Sequence, residues 1–178
     1  MVAPRVFISA GMPGAGKEEF LVAIADMHLE ILRMGDLVRE EKKQQGVDIP
    51  TGIFAHRERL RHGNDIWAVR ALKKMGTNPT VIDGCRSDYE LKTFRAALGG
   101  GVKVIAIHSD PVTRFRRLQL RGREDAPRDW DEFQERDERE MEWGLAKVIA
   151  LADIMIVNDA ALAEFHRRCR EIMRELVG

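Results

Sequence analysis

The chain predicts an open, mostly parallel α/β sheet with helices on both faces, and three observations carry that expectation. Short apolar runs rich in β-branched residues recur at 6–10, 80–83, 102–108 and 154–157, with a shorter piece at 30–33. Helix-patterned segments separate these runs, as expected when parallel strands are joined by crossover helices. The first run, Val6 to Ala10, leads directly into Gly11, Met12, Pro13, Gly14, Ala15, Gly16 and Lys17, the order strand, glycine loop, helix. Open sheets of this class bind ligands at the carboxyl ends of their strands, where this loop falls.

Taken in order, a helix is expected over 18–28 and a short strand over 30–33. Helices over 36–45, 52–62 and 65–75 then form a helical excursion, 36–77, from the core. The strand at 80–83 closes on Asp83, and a helix over 88–98 stops at Gly99-Gly100-Gly101. A strand over 102–108 precedes a helix over 111–122 that begins with Pro111, a residue suited to a first helical turn. The charged, Gly- and Pro-punctuated stretch 121–130 reads as a short lid. A long helix over 129–151, the strand 154–157 and a helix over 160–176 complete the chain. The excursion and the lid are the candidate moving parts.

The 178 residues are of single-domain size, with no repeats, low-complexity tracts or linkers. A 44% hydrophobic and 33% charged composition suits a soluble globular protein. Twenty-nine basic and 29 acidic residues cancel, so no global signature for binding nucleic acid is present. Cys85 and Cys169 lack metal-ligand spacing and read as buried thiols. No apolar run reaches membrane-spanning length and no signal-peptide core precedes the loop, so a cytoplasmic protein is expected.

The loop's chemistry follows from its residues. Glycines permit the tight turn and let backbone N–H groups point at a polyphosphate. The helix N-terminus adds partial positive charge, and Lys17 adds a full charge near the β and γ phosphates. Glu18 stands where a Ser or Thr hydroxyl ordinarily ligates Mg²⁺. It either replaces that hydroxyl as a direct metal ligand or points away.

Arg117 and Arg121 are spaced i, i+4 on one helix face and could clamp a transferring phosphate, with Arg114, Arg116 and Arg123 crowding the same region. Arg86 follows a strand end beside the loop and either meets the acceptor or pairs with Asp83 or Asp88. Arg39 lies in a charged helix. Asp36 has three readings. It organises Mg²⁺ waters if the acceptor is a phosphate, takes a proton if the acceptor is a hydroxyl, or caps a helix. Trp67, Trp130 and Trp143 read as packing residues, and the histidines show no metal-ligand spacing.

Several of these pieces resemble known kinases. The loop Gly11-Met-Pro-Gly-Ala-Gly-Lys17 is similar to that of adenylate kinases. Met34-Gly35-Asp36-Leu37-Val38-Arg39 resembles the acceptor-domain entrance of nucleoside monophosphate kinases. Ile82-Asp83-Gly84-Cys85-Arg86 resembles their Asp-Gly-x-x-Arg strand end, one residue shorter. Arg117 and Arg121, followed by Arg123-Glu-Asp125, resemble the lid arginines. Ala152-Asp153-Ile-Met-Ile-Val-Asn158 resembles a strand end of dephospho-coenzyme A kinases. The whole chain is similar to an archaeal family of adenylate-kinase-related proteins.

The resemblance implies a P-loop fold with a five-stranded parallel sheet. It implies that Asp83 holds Mg²⁺ through water, that Arg39, Arg86 and Arg123 meet the acceptor, and that Asn158 meets the adenine edge. The chain departs from adenylate kinases at Glu19, where they keep Thr.

The expectation is ATP-dependent phosphoryl transfer to a nucleotide or nucleotide-like small molecule. ATP·Mg²⁺ sits on 11–18, and Lys17, Arg117, Arg121 and Asp36 are the catalytic candidates. One alternative is hydroxyl phosphorylation of the dephospho-coenzyme A kinase kind, with Asp36 as base. The other is a nucleotide-binding regulatory or assembly protein with little turnover, in which Glu18 and Glu19 suppress hydrolysis.

Overall fold

The computed structural model describes residues 6–122 and 126–178. Its centre is β1 (Val6–Ala10), every residue of which is buried. Four further strands run parallel to it: β2 (Glu30–Arg33), β3 (Thr80–Asp83), β4 (Val102–His108) and β5 (Ile154–Val157), in the spatial order β2-β3-β1-β4-β5. Side chains alternate across a strand, so each strand feeds two cores. Val6, Ile8, Ile82, Val102 and Val104 enter one core, while Phe7, Val81, Ile105 and Ile107 enter the other. All five strands fall where the apolar runs place them.

The second core is closed by α1 (Lys17–Ala23) and α9 (Leu162–Val177), through Phe20, Leu21 and Ile24 against Phe165, Cys169 and Met173. The 165, 169, 173 spacing makes one apolar stripe along α9. Burial pushes the Cys169 thiol up to about 12 and raises that of Cys85 as well, so both are inert, as expected.

The first core is roofed by α2 (Met34–Gln44), α3 (Thr51–His62), α4 (Ile66–Lys74), α5 (Asp88–Leu98) and α8 (Leu145–Ala150). α6 (Pro111–Arg121) and α7 (Trp130–Glu142) complete the described helices.

Three expectations change. The helix expected over 18–28 ends at Ala23: Ile24 turns into the second core, and His28 takes a left-handed φ of 53° that no α-helix accommodates. The helix expected over 129–151 is broken in two at Gly144, where φ is 101°. A Cβ there would also stand 3.2 Å from Asp88 Oδ1 and 3.3 Å from its backbone nitrogen, so glycine lets α8 turn in under α5. The excursion 36–77 is not a loose flap. Leu37, Val38, Phe54, Ala55, Trp67, Ala68 and Ala71 lie in the same core as β1.

Candidate functional site

The loop between β1 and α1 is a turn closed by the Ala15 N–H, which donates to Met12 O at 3.1 Å. It leads into α1 through Gly16, whose φ of 109° is left-handed. A Cβ on Gly16 would lie 2.2 Å from Asn158 Nδ2, so both conformation and space require glycine. Asn158 follows β5 and is only 4% exposed. Its amide donates to Ala15 O at 2.9 Å, and its own N–H donates to His108 O at 2.7 Å. The structure therefore places Asn158 beneath the loop, as a prop.

Arg117 donates to Ser109 Oγ and to both oxygens of Asn158, each at 3.3 Å. Arg114, one residue in the arginine crowd, is buried at the middle of this corner. Its Nε donates to Ser109 O at 3.2 Å, one terminal nitrogen reaches Pro13 O at 3.2 Å, and both terminal nitrogens grip Asp137 at 2.9 and 2.5 Å. The Phe133 ring centroid lies 4.9 Å from its guanidinium. Arg114 thus ties the loop to α6 and α7 at once. Arg121 ends α6 at the surface with its charge in reach of Lys17. Arg123 lies outside the described residues, as does the part of the lid at 123–125.

Lys17 turns back on its own loop, donating to Gly11 O at 2.6 Å and Met12 O at 3.4 Å. Burial lowers its ammonium to about 8; Arg86 and Arg121 push the same way, and Asp83 and Glu140 oppose them. Asp83, at the end of β3, accepts a 2.7 Å hydrogen bond from buried Ser9 on β1, its partner in strand register. Ser9 was invisible to motif reading, since only the sheet register brings it to Asp83.

Glu18 pairs with Arg33 at 2.9 Å, and Glu19 with His166 of α9 at 2.9 Å. Among the described residues no three His, Cys, Asp or Glu side chains converge. A divalent cation here would depend on Asp83 or Glu18 together with ligand and water oxygens, the sparse protein coordination characteristic of Mg²⁺.

Across the strand ends, Arg86 pairs with neither Asp83 nor Asp88. Its side chain donates to Glu140 of α7 at 2.6 Å, its backbone N–H donates to Glu90 Oε2 at 2.9 Å, and Asp88 is taken by Lys92 and Lys147. Arg59 of α3 pairs with Glu90 at 2.9 Å, with both partners largely buried. The guanidinium carbons of Arg59 and Arg86 lie 5.9 and 6.0 Å from the Trp143 ring centroid. Asp36 pairs with Arg39 at the surface. It does not cap α2, whose cap position is held by Arg33 with no side-chain bond. The sequence missed Glu140, Glu90 and Arg59, because each pairs with a residue 31 or 54 positions away.

Comparison with known proteins agrees with the fold. The family model described as an AAA domain matches residues 8–151. A UPF0200 protein of Thermoplasma acidophilum is 44% identical over 174 residues, 96% of each chain. A UPF0200 protein of Methanopyrus kandleri is also 44% identical, over 94% of this chain and 88% of its own. Among solved structures, a gluconokinase from Sinorhizobium meliloti superposes with a TM-score of 0.63 at 15% identity, covering 97% of this chain and 94% of that one. A shikimate kinase from Bacteroides thetaiotaomicron superposes at 0.62 and 16%, covering 95% and 98%. At such identities the likeness is one of fold.

Proposed function

The chain belongs to the archaeal UPF0200 family and carries the AAA-domain P-loop fold, and on that premise we propose that it transfers a phosphoryl group from ATP to a nucleotide-like small molecule. The observation that carries the reading is the placement of Lys17 and Asp83. A lysine sits on the phosphate loop and a carboxylate on the neighbouring strand end, both at the carboxyl edge of one parallel sheet. The gluconokinase and shikimate kinase of like fold support transfer to a small molecule.

In this reading residues 11–17 cradle the phosphates with backbone N–H groups, and Lys17 leaves the Gly11 and Met12 carbonyls for the β and γ oxygens. Asp83 would hold Mg²⁺ through water, and the ion would supply charge neutralisation to the phosphates, while Glu18 is paired with Arg33. Arg121, at the end of α6, closes over the transferring group and excludes water. Arg117, on α6, steadies the loop through Asn158 after β5. The excursion and Arg86 bound the acceptor side, with Asp36 and Arg39 at its entrance.

The test is ADP release from ATP·Mg²⁺ with and without small-molecule acceptors. Acceptor-dependent turnover is expected, and Lys17→Ala should lower it roughly a hundredfold or more, the scale of losing one preorganised donor to transition-state charge. Slow hydrolysis that ignores every acceptor would instead favour a regulatory nucleotide switch.

A further inference from the structure

Lys17 and Arg117 on the loop side differ from three arginines on the other side in how they are matched, while Arg114 is held by Asp137. On the loop side, Lys17 leans on the Gly11 and Met12 carbonyls, and Arg117 on Ser109 Oγ and the Asn158 oxygens. All of these partners are neutral, so the two charges remain available to an anion. On the other side three arginines already have carboxylates: Arg39 has Asp36, Arg59 has Glu90, and Arg86 has Glu140. A phosphate dianion entering there would meet cations already neutralised, beside a buried glutamate of its own sign.

Among the described residues four buried side-chain polar atoms lack a partner, and Glu140 carries the one acceptor among them, the others being nitrogens of Arg57, Arg59 and Arg70. The Glu140 side chain is 6% exposed, Oε1 takes the Arg86 bond, and Oε2 is buried without a partner. A carboxylate oxygen can only accept, so such a group calls for a donor. Its charge also acts on Lys17, and its partner Arg86 follows the end of β3 that carries Asp83.

We propose that the group phosphorylated is a hydroxyl, and that Glu140 Oε2 accepts its hydrogen bond and then its proton. This rests on the kinase reading and narrows it. The hydroxyl oxygen bonds to the terminal phosphorus of ATP, the bond from that phosphorus to the bridging oxygen breaks, and the electron pair leaves with ADP. The proton passes to Glu140 and later to water. A phosphate acceptor would need no such carboxylate, since its oxygens are already ionised. Asp36, exposed and paired with Arg39, then serves at the entrance and not as the base.

The test uses the full chain with ATP·Mg²⁺ and two sets of probes. One holds adenosine, cytidine, uridine, guanosine and dephospho-coenzyme A, which offer hydroxyls; the other holds AMP, CMP, UMP and GMP. Products are read by phosphorus NMR as monoester or anhydride. Monoester from the first set alone is expected. Glu140→Gln keeps the shape and an oxygen for Arg86 but cannot take a proton. It should lower kcat with the hydroxyl probe at least a hundredfold, while ATP affinity by titration stays within twofold.

Glu140→Asp should recover part of that loss, and Asp36→Asn should cost less than tenfold. Anhydride from the monophosphates would overturn the inference and leave the kinase standing. So would Asp36→Asn costing more than Glu140→Gln. No ADP release with any probe, though ATP binds, would overturn both.

Discussion

Arg114 spends its guanidinium on Ser109 O, Pro13 O and Asp137, and lies nearly out of solvent. Removing one member of a buried ion pair leaves the other charge uncompensated, which typically costs about 3–5 kcal/mol. Arg114→Ala should destabilise the protein on that scale in a urea melt and weaken ATP binding, because Pro13 loses its tether. Arg114→Lys should rescue little, since an ammonium cannot hold Asp137 with two nitrogens while reaching two carbonyls. A lysine variant as stable as the parent would refute this account.

The sequence pointed to this corner but not to this residue. The i, i+4 spacing of Arg117 and Arg121 was legible, whereas Arg117 meets Asn158, 41 positions away after β5, and Arg114 meets Asp137 on α7. For the same reason the expected partners of Arg86 were wrong. Local spacing offered Asp83 and Asp88, and tertiary packing supplied Glu140.

Elements divide along a similar line. Strands β1, β3 and β4 were legible because burial on both faces makes each an apolar run bounded by turn residues, whereas the edge strands β2 and β5 are more exposed and rest on shorter runs. Helix ends were less so. The helix over 129–151 reads as continuous because glycine alone is a weak breaker, and what breaks it is the approach of Ser87 and Asp88. Continuity matters here, since α7 carries Asp137 and Glu140 to the site from above while α8 must turn down into the core.

Gly144→Ala combines a left-handed φ with that contact. A destabilisation of about 1–3 kcal/mol is expected, the usual scale for backbone held in such a region. If the kink also sets where Glu140 meets Arg86, acceptor turnover should fall further than the melting temperature implies. Calorimetry alongside the ADP-release assay separates the two effects, and a neutral Gly144→Ala would show that the break carries no constraint.

For the molecule as a whole, the question is whether the excursion moves against the sheet. Its apolar residues share the β1 core, and buried ion pairs clamp it as well: Arg59 to Glu90 on α5, and Arg70 to Glu58 at 2.8 Å within the excursion. The excursion and sheet should therefore unfold in one transition, and that transition should be acid-sensitive.

Burial alone would raise the Glu58 carboxyl, but the hydrogen bond and charge of Arg70, with His62, hold it below its ordinary value of 4.5. Asp88 is likewise held below 3.8: burial opposes, and Lys92 and Lys147 prevail. A carboxyl with a depressed folded pKa contributes stability above its unfolded value and loses it as pH falls through the folded one. The melting temperature should thus be flat near neutrality and fall below about pH 4.5. Glu58→Gln should cost about 1–3 kcal/mol at pH 7, the scale of one charged hydrogen bond, since Arg70 keeps Glu41 at 3.0 Å, and should flatten the acid slope. A parent whose melting temperature holds to pH 3 would show that these carboxylates do not set the acid sensitivity, and melting in two steps with the excursion first would show that the shared core and the Arg59–Glu90 pair do not bind the excursion to the sheet.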